Sequence, residues 1–275
     1  VADFASTDHL VASMAQRADR FVFMKRTDES GSLAYVLGNL GSTWILSGFP
    51  SAGPTPTTAV AVDKTTAGAL ANFTNAGGSD SLRLCDIDAI SQNTIGTFYL
   101  YDRLIHCGGL SGTSVAVQTI NTPAIPRGDT NGVGVVGFLE CYTNLGATPQ
   151  VLAVSYTNTL NASGRAGTVS IPASLNLCKM VPILLQAGDL GIKSVQSVQL
   201  PGSTGTVGNF GITLARRVCS MPLAASGTSN TPVHRSGFNL GFPHIDNNAC
   251  LWVVLHAHGA TDGEVHGGFT LLRTG

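Results

Sequence analysis

Val133-Gly-Val-Val-Gly-Phe-Leu-Glu-Cys-Tyr142 decides the fold class. Its first six residues are apolar or glycine almost without a break, the pattern of a strand covered on both faces rather than of a surface helix. The same stretch spells G-x-G-x-x-G over Gly132–Gly137. That fingerprint binds a dinucleotide only where a strand turns into a helix whose N-terminus meets the pyrophosphate. Here Phe-Leu-Glu-Cys-Tyr continues the strand and Asn144-Leu-Gly146 ends it, so a central β-strand is expected and no cofactor.

Working outward, strand-like runs recur at Thr97–Leu104, Ser114–Ile120, Val151–Thr157, Thr168–Ile171, Met180–Leu185, Val195–Leu200 and Phe210–Arg216. Turn residues separate most of them at the spacing of a sandwich or jelly roll. Pro123, Pro126, Pro149, Pro172 and Pro201 fall between runs or at their starts, where no ladder hydrogen bond is lost. No segment supplies the crossover helices that a parallel sheet needs. Cys250–His256 and Gly268–Leu272 extend the pattern towards the C-terminus, and Phe21–Lys25, Leu33–Leu37 and Thr43–Leu46 towards the N-terminus. Phe49–Thr58 and Ala69–Ser81 read as loops, and Asp86–Gln92 as a helical turn. One helix is expected: Leu10, Val11, Met14, Ala15, Ala18 and Phe21 recur at helical spacing, with Thr7 or Asp8 placed to cap. The sum is an all-β chain, an antiparallel β-sandwich or jelly-roll body with a short N-terminal helix. Residues 1–95 read as a helical arm with peripheral strands, 96–222 as the core domain, and 223–275 as strands packing on the body.

Charged residues make up 11% of the 275, against about 25% in an average soluble domain, and there are four lysines. Surface that ends against other subunits suits low charge, because burying unpaired charge is costly. A net charge of −1 without a basic run argues against nucleic acid, and Arg216–Arg217 reads as solvated or ion-paired. No apolar stretch is long enough to span a membrane, and the N-terminus lacks a signal-peptide layout. Cys85, Cys107, Cys141, Cys178, Cys219 and Cys250 have no C-x-x-C spacing and are expected mostly as free thiols.

Several motifs invite chemistry. His256 and His258 share a strand face, and Asp262, Glu264 and His266 follow a glycine-rich turn. His256, His258 and His266 are therefore the candidate metal ligands, with Glu264 the one nearby base if such a centre were hydrolytic. The weaker alternative is a polar strand end. Arg127-Gly-Asp129 has the integrin-type tripeptide in a Pro/Gly/Asn-rich segment and reads as an exposed turn. Asp86, Asp88 and Asp102 form no recognisable carboxylate pair for glycoside cleavage. Trp44 and Trp252 could stack on sugars but read as core. No catalytic residue is assigned.

The runs Phe98-Tyr-Leu-Tyr-Asp-Arg-Leu104, Gly108-Gly-Leu-Ser-Gly112 and Gln118-Thr-Ile-Asn-Thr-Pro123 resemble a family of structural proteins of tailed bacteriophages. The likeness continues through Ser155-Tyr-Thr-Asn158, Gly164-Arg165, Leu185-Gln-Ala-Gly-Asp189, Gly191-Ile-Lys-Ser-Val195 and Ser203–Gly211, covering roughly residues 96–222. It implies a β-rich, non-enzymatic virion component, assembled in the host cytoplasm. Its partners would be copies of itself and other virion proteins, the major capsid protein first. A capsid-associated decoration, cement or minor capsid role is expected, with a tail or collar component or a host glycan- or receptor-binding module as alternatives.

Overall fold

The computed structural model describes residues 6–26, 40–78, 80–91, 95–223, 233–258 and 263–274. The elements, in order, are α1 (Thr7–Arg17), β1 (Ala18–Arg26), β2 (Leu40–Ser42), β3 (Gly48–Phe49), β4 (Val60–Ala61), β5 (Ser81–Ser91), β6 (Gly96–Ser111), β7 (Gln118–Thr119), β8 (Val135–Thr143), β9 (Gln150–Asn158), β10 (Arg165–Ile171), β11 (Lys179–Pro182), β12 (Ile192–Gln199), β13 (Asn209–Leu223), β14 (Val233–Ser236), α2 (Gly237–Leu240), β15 (His244–Ile245), β16 (Leu251–Ala257) and β17 (Glu264–Thr274). The chain is all-β, and every strand pairing is antiparallel.

Six strands, in the order β13-β8-β11-β2-β16-β6, close into a barrel because β13 also pairs with β6, and β4 continues the edge of β6 beyond β16. A second sheet, β14-β5-β17-β1-β3 with β15 on β5, joins strands from both chain ends. A third, β10-β9-β12-β7, comes from the middle of the chain. The long strands β6 and β13 serve two cores. Phe98, Leu100, Cys219, Met221 and Leu223 pack under the terminal sheet with Phe23, Ile87 and Phe269. Further along the same pair, Leu104, Ile105, Phe210, Ile212 and Leu214 pack under the middle sheet with Leu152, Val154, Tyr156 and Val195. The expected sandwich thus takes the form of a closed barrel with a sheet packed on each of two parts of its outer wall.

β8 has only part of the environment read from its sequence: Val133 and Gly134 precede it, and Val133 and Val136 are exposed. It lies between β13 and β11, and Gly137 to Cys141 are buried throughout. Several local expectations change. Ser114–Ile120 is strand only at Gln118–Thr119, and the strand expected over Met180–Leu185 ends at Pro182, where proline offers no N–H to the ladder. α1 is capped by Ser6, whose side chain accepts from the His9 amide at 3.1 Å, and it stops at Arg17. Ala18 and Phe21 are therefore strand residues; of the helical stripe Leu10 is buried, while Val11 and Met14 are 60% and 43% exposed. Asp86–Gln92 is no helical turn: residues up to Ser91 belong to β5, where Asp86 and Asp88 alternate with the buried Ile87 and Ala89. Thr43–Leu46 is a turn that follows β2. Leu33–Leu37 lies outside the described residues.

Candidate functional site

The barrel interior holds the densest polar chemistry of the described chain. Arg103 and His106 come from β6, Glu140 and Tyr142 from β8, Thr213 from β13 and Ser42 from β2. Arg103, His106, Glu140, Thr213 and Ser42 have no measurable exposure. Arg103 Nη2 donates to Glu140 Oε2 at 2.6 Å and to Thr213 Oγ1 at 2.9 Å, and lies 2.5 Å from His106 Nδ1. Tyr142 and Thr213 each donate to Glu140 Oε2 at 2.8 Å, and Ser42 donates to Oε1. The rings of Trp44 and Trp252 cover the guanidinium, with Cζ at 4.2 and 4.6 Å from their centroids.

These contacts fix the charge states. Burial alone would raise the Glu140 carboxyl, but the adjacent Arg103 guanidinium overrides it and holds the group at about 2. Burial and the same cation push His106 down to about 3, so its ring is neutral. A guanidinium only donates, so His106 Nδ1 accepts and its proton sits on Nε2. Burial, then the Glu140 charge, raises Tyr142 well above its ordinary range. The cluster is a desolvated Arg–Glu pair reaching the surface only at the part-buried Tyr142. Arg103 Nε and Nη1 and His106 Nε2 are buried without a hydrogen-bond partner, so the network is incompletely satisfied, while its paired groups favour one packing of the barrel.

Towards the other end the barrel opens. Leu40, Tyr99, Tyr101, Val136, Phe138, Pro182 and Arg217 line a cavity of about 300 Å³. A neighbouring cavity of about 480 Å³ shares Leu40, Tyr99 and Pro182 and adds Met180 and His256. Together they draw on all six barrel strands, and neither contains an Asn, Asp or Gln.

The structure separates the residues singled out from sequence. The rings of His256 and His258 meet edge to face with centroids 5.0 Å apart. His266, on β17, instead lies 2.9 Å from Glu264. Among the described residues no three His, Cys, Asp or Glu side chains form a group that could hold a metal ion. Asp262 and the His234 side chain lie outside what is described. The Arg127-Gly-Asp129 turn is not an exposed display of its arginine. Arg127 points inward and grips Asp102 through Nε and Nη2 at 2.6–3.1 Å, and also reaches the Val62 and Arg103 carbonyls. Arg216 holds the turn from outside through the carbonyls of Arg127 and Asp129. Gly132 and Gly134, in the dinucleotide-like motif, have positive φ and bring the chain against Leu190–Ile192 before β8 begins. Trp44 and Trp252 are core, and all six cysteines are buried with no disulfide between them.

The middle sheet presents its other face outward. Ladder rows across β10, β9 and β12 read Ser170–Val151, Thr168–Ala153–Gln199 and Ala166–Ser155–Ser197, continued by Thr157–Ser194. No residue of these rows carries a charge; the two cations of these strands, Arg165 and Lys193, lie at their ends, held by Asp189 and Asn161.

Known proteins give this chain no family. No family model matches it, and no curated protein does. Among solved structures it is similar to the VP2 protein of infectious bursal disease virus in derived T=1 particles, at 9% identity and a TM-score of 0.21 over 93% of this chain and 77% of that one. A VP2 subviral particle of the same virus aligns at 8% identity and a TM-score of 0.20, over 93% and 80% of the two chains. At these values the likeness carries no argument about this chain. Sequence reasoning missed the Arg103–Glu140 cluster. Its signal was Arg103 beside Asp102 and three residues before His106 in one strand, and a single glutamate inside the apolar run of another.

Proposed function

We propose that the chain is a structural protein of a bacteriophage particle, associated with the capsid as a decoration, cement or minor capsid protein, and that it acts by subunit contact rather than by catalysis. The observation that carries this reading is the uncharged outward face of the β10-β9-β12 sheet. A domain that stays free in solution normally interleaves charge on such a face. Small neutral side chains on a rigid sheet instead suit burial against a second protein, since no charge is desolvated there. The low overall charge and the sequence resemblance over residues 96–222 point the same way. Copies of the chain and the major capsid protein are the partners this reading names; a tail or collar position uses the same surface.

The test is co-purification with particles. Charge placed on the face, as Ala153→Asp with Thr168→Asp, should remove the chain from particles while leaving its fold intact by circular dichroism. Unchanged incorporation would reject the face as the contact.

A second reading, a host glycan- or receptor-binding module, has Tyr99 and Tyr101 at the barrel mouth in its favour. It ranks lower because the mouth lacks the side-chain amides and carboxylates that read sugar hydroxyls. Binding to host surface glycans that is lost in Tyr99→Ala would raise it.

A further inference from the structure

β17 covers β1 along all nine residues on one side. On the other side β3 pairs only with Met24 and Lys25. The Arg26 amide donates to the Ser47 carbonyl at 3.1 Å on that second side. In an antiparallel ladder alternate residues turn both backbone groups the same way. Arg20 and Val22 therefore present their N–H and C=O groups to the open side. Among the described residues these groups have no partner.

Proteins normally guard such an edge with charge, proline, a bulge or a covering segment. Of the other long edges, β12 is covered beyond β7 by Ile120, Asn121 and Thr122, and β10 is bridged at its centre, Thr168 to Leu184. On the open part of β1 the cation, Arg20, has been drawn away. Arg20 lies across β17 to Asp86 at 3.3 Å and to Asp88, passing over Gly268. A Cβ on Gly268 would stand 2.7 Å from Arg20 Nη2, so glycine is what lets the arginine lie there. Val22 and Phe49 stay 57% and 61% exposed at the edge. They border a groove of about 500 Å³.

We propose that this edge pairs with the same edge of a second copy of the chain, β1 against β1 about a two-fold axis, so that the terminal sheets become one. The inference rests on the reading of the chain as one that works through subunit contacts, and it names one of them. An antiparallel edge is complementary to itself. The charge on Arg20 is already neutralised within its own chain, so two identical edges do not repel. Hydrogen-bonded pairs must join residues whose groups face outward. Pairing Arg20 with Val22 of the second copy does so, and it avoids placing two arginines opposite each other. Phe21 then faces its counterpart, and β3 ends the ladder at Met24.

The discriminating variant is Val22→Pro. The Val22 amide faces the open edge, so proline removes no hydrogen bond to β17. Val22→Lys, which keeps the amide and adds an edge charge, covers the case in which proline perturbs the fold. Sedimentation at rising concentration should give a dimer for the wild type. In Val22→Pro the dissociation constant should rise roughly 30- to 100-fold, as for the loss of two ordinary hydrogen bonds. The Arg20 and Val22 amides should be protected from exchange in the dimer and unprotected in the variant. A wild type that stays monomeric with both amides exchanging freely would overturn the proposal, as would a dimer indifferent to both substitutions. If the chain occurs in purified particles while these amides remain unprotected there, this contact is wrong and the particle reading stands. A dimer in solution with no chain in particles would do the reverse.

Discussion

Arg103 keeps a full charge where no water reaches it. Its partner Glu140 and the two tryptophan rings are what make that tolerable. Removing one member of such a pair strands the other. Glu140→Gln or Arg103→Met should therefore cost about 3–5 kcal/mol in urea unfolding, whereas replacing both with apolar residues of similar volume should cost much less. Equal losses in the single and double variants would mean that packing, not charge, holds the barrel. A smaller effect belongs to Gly128. It sits at φ +67°, and a Cβ there would lie 1.8 Å from Arg216 Nη1. Gly128→Ala should lower stability by about 1–3 kcal/mol, and Arg216→Ala should recover part of that loss. Neither cluster was read from sequence. Glu140 looked like one irregularity in an apolar run and Arg103 like half of a local Asp102–Arg103 pair, and only the register of β6, β13 and β8 makes them neighbours. The Arg127–Asp129 segment is the exposed turn its sequence suggests, but a tripeptide says nothing about which way its arginine turns, and Arg127 turns inward.

Among the elements, the loop between β11 and β12 depends on one carboxylate. Asp189 accepts from Arg165 at 3.0 and 3.1 Å, from Asn158 at 2.7 Å and from Tyr156. The Arg165 hydrogen bonds, then that of Tyr156, hold its carboxyl at about 2. A depressed carboxylate stabilises above its unfolded value and ceases to do so as pH falls through the folded one. Amides 186–191 should thus lose exchange protection only as pH drops from about 4 towards 2, and Asp189→Asn should loosen them at neutral pH. The stronger elements were legible. Val133–Tyr142 and Val151–Thr157 carry enough apolar character to place two strands, although only Gly137–Cys141 of the first is buried throughout. Asp86–Gln92 was misread because two acids in a short run resemble a turn, although Asp-Ile-Asp-Ala alternates as a strand does. β2 and β3, with three and two residues, have no periodicity of their own and exist through their partners.

For the whole molecule, burial of thiols governs the alkaline limit. It pushes Cys141, Cys219 and Cys250 up to about 12, while an unfolded thiol ionises near 9. The unfolded state then binds fewer protons than the folded one, so stability falls as pH rises above 9. The slope approaches about 1.4 kcal/mol per pH unit per thiol, or about 4 for the three. Lys25, lowered to about 8 by burial, acts in the opposite direction between 8 and 10.5 but contributes one such slope. Urea midpoints should therefore decline from pH 9 to 10; a flat or rising midpoint would mean that the thiols reach solvent. Barrel closure was not legible in the sequence. It depends on β13 meeting both β6 and β8, a long-range pairing that no local pattern records. The uncharged face was foreshadowed by an 11% charge content, but its location on β10-β9-β12 required the register. The account as a whole stands on assembly. On the proposed reading, its most direct test is imaging of intact phage particles with this chain traced in the density. The expected result is many copies in the shell, seated on neighbours through the neutral face. A chain that is absent from purified particles and monomeric in solution would contradict it.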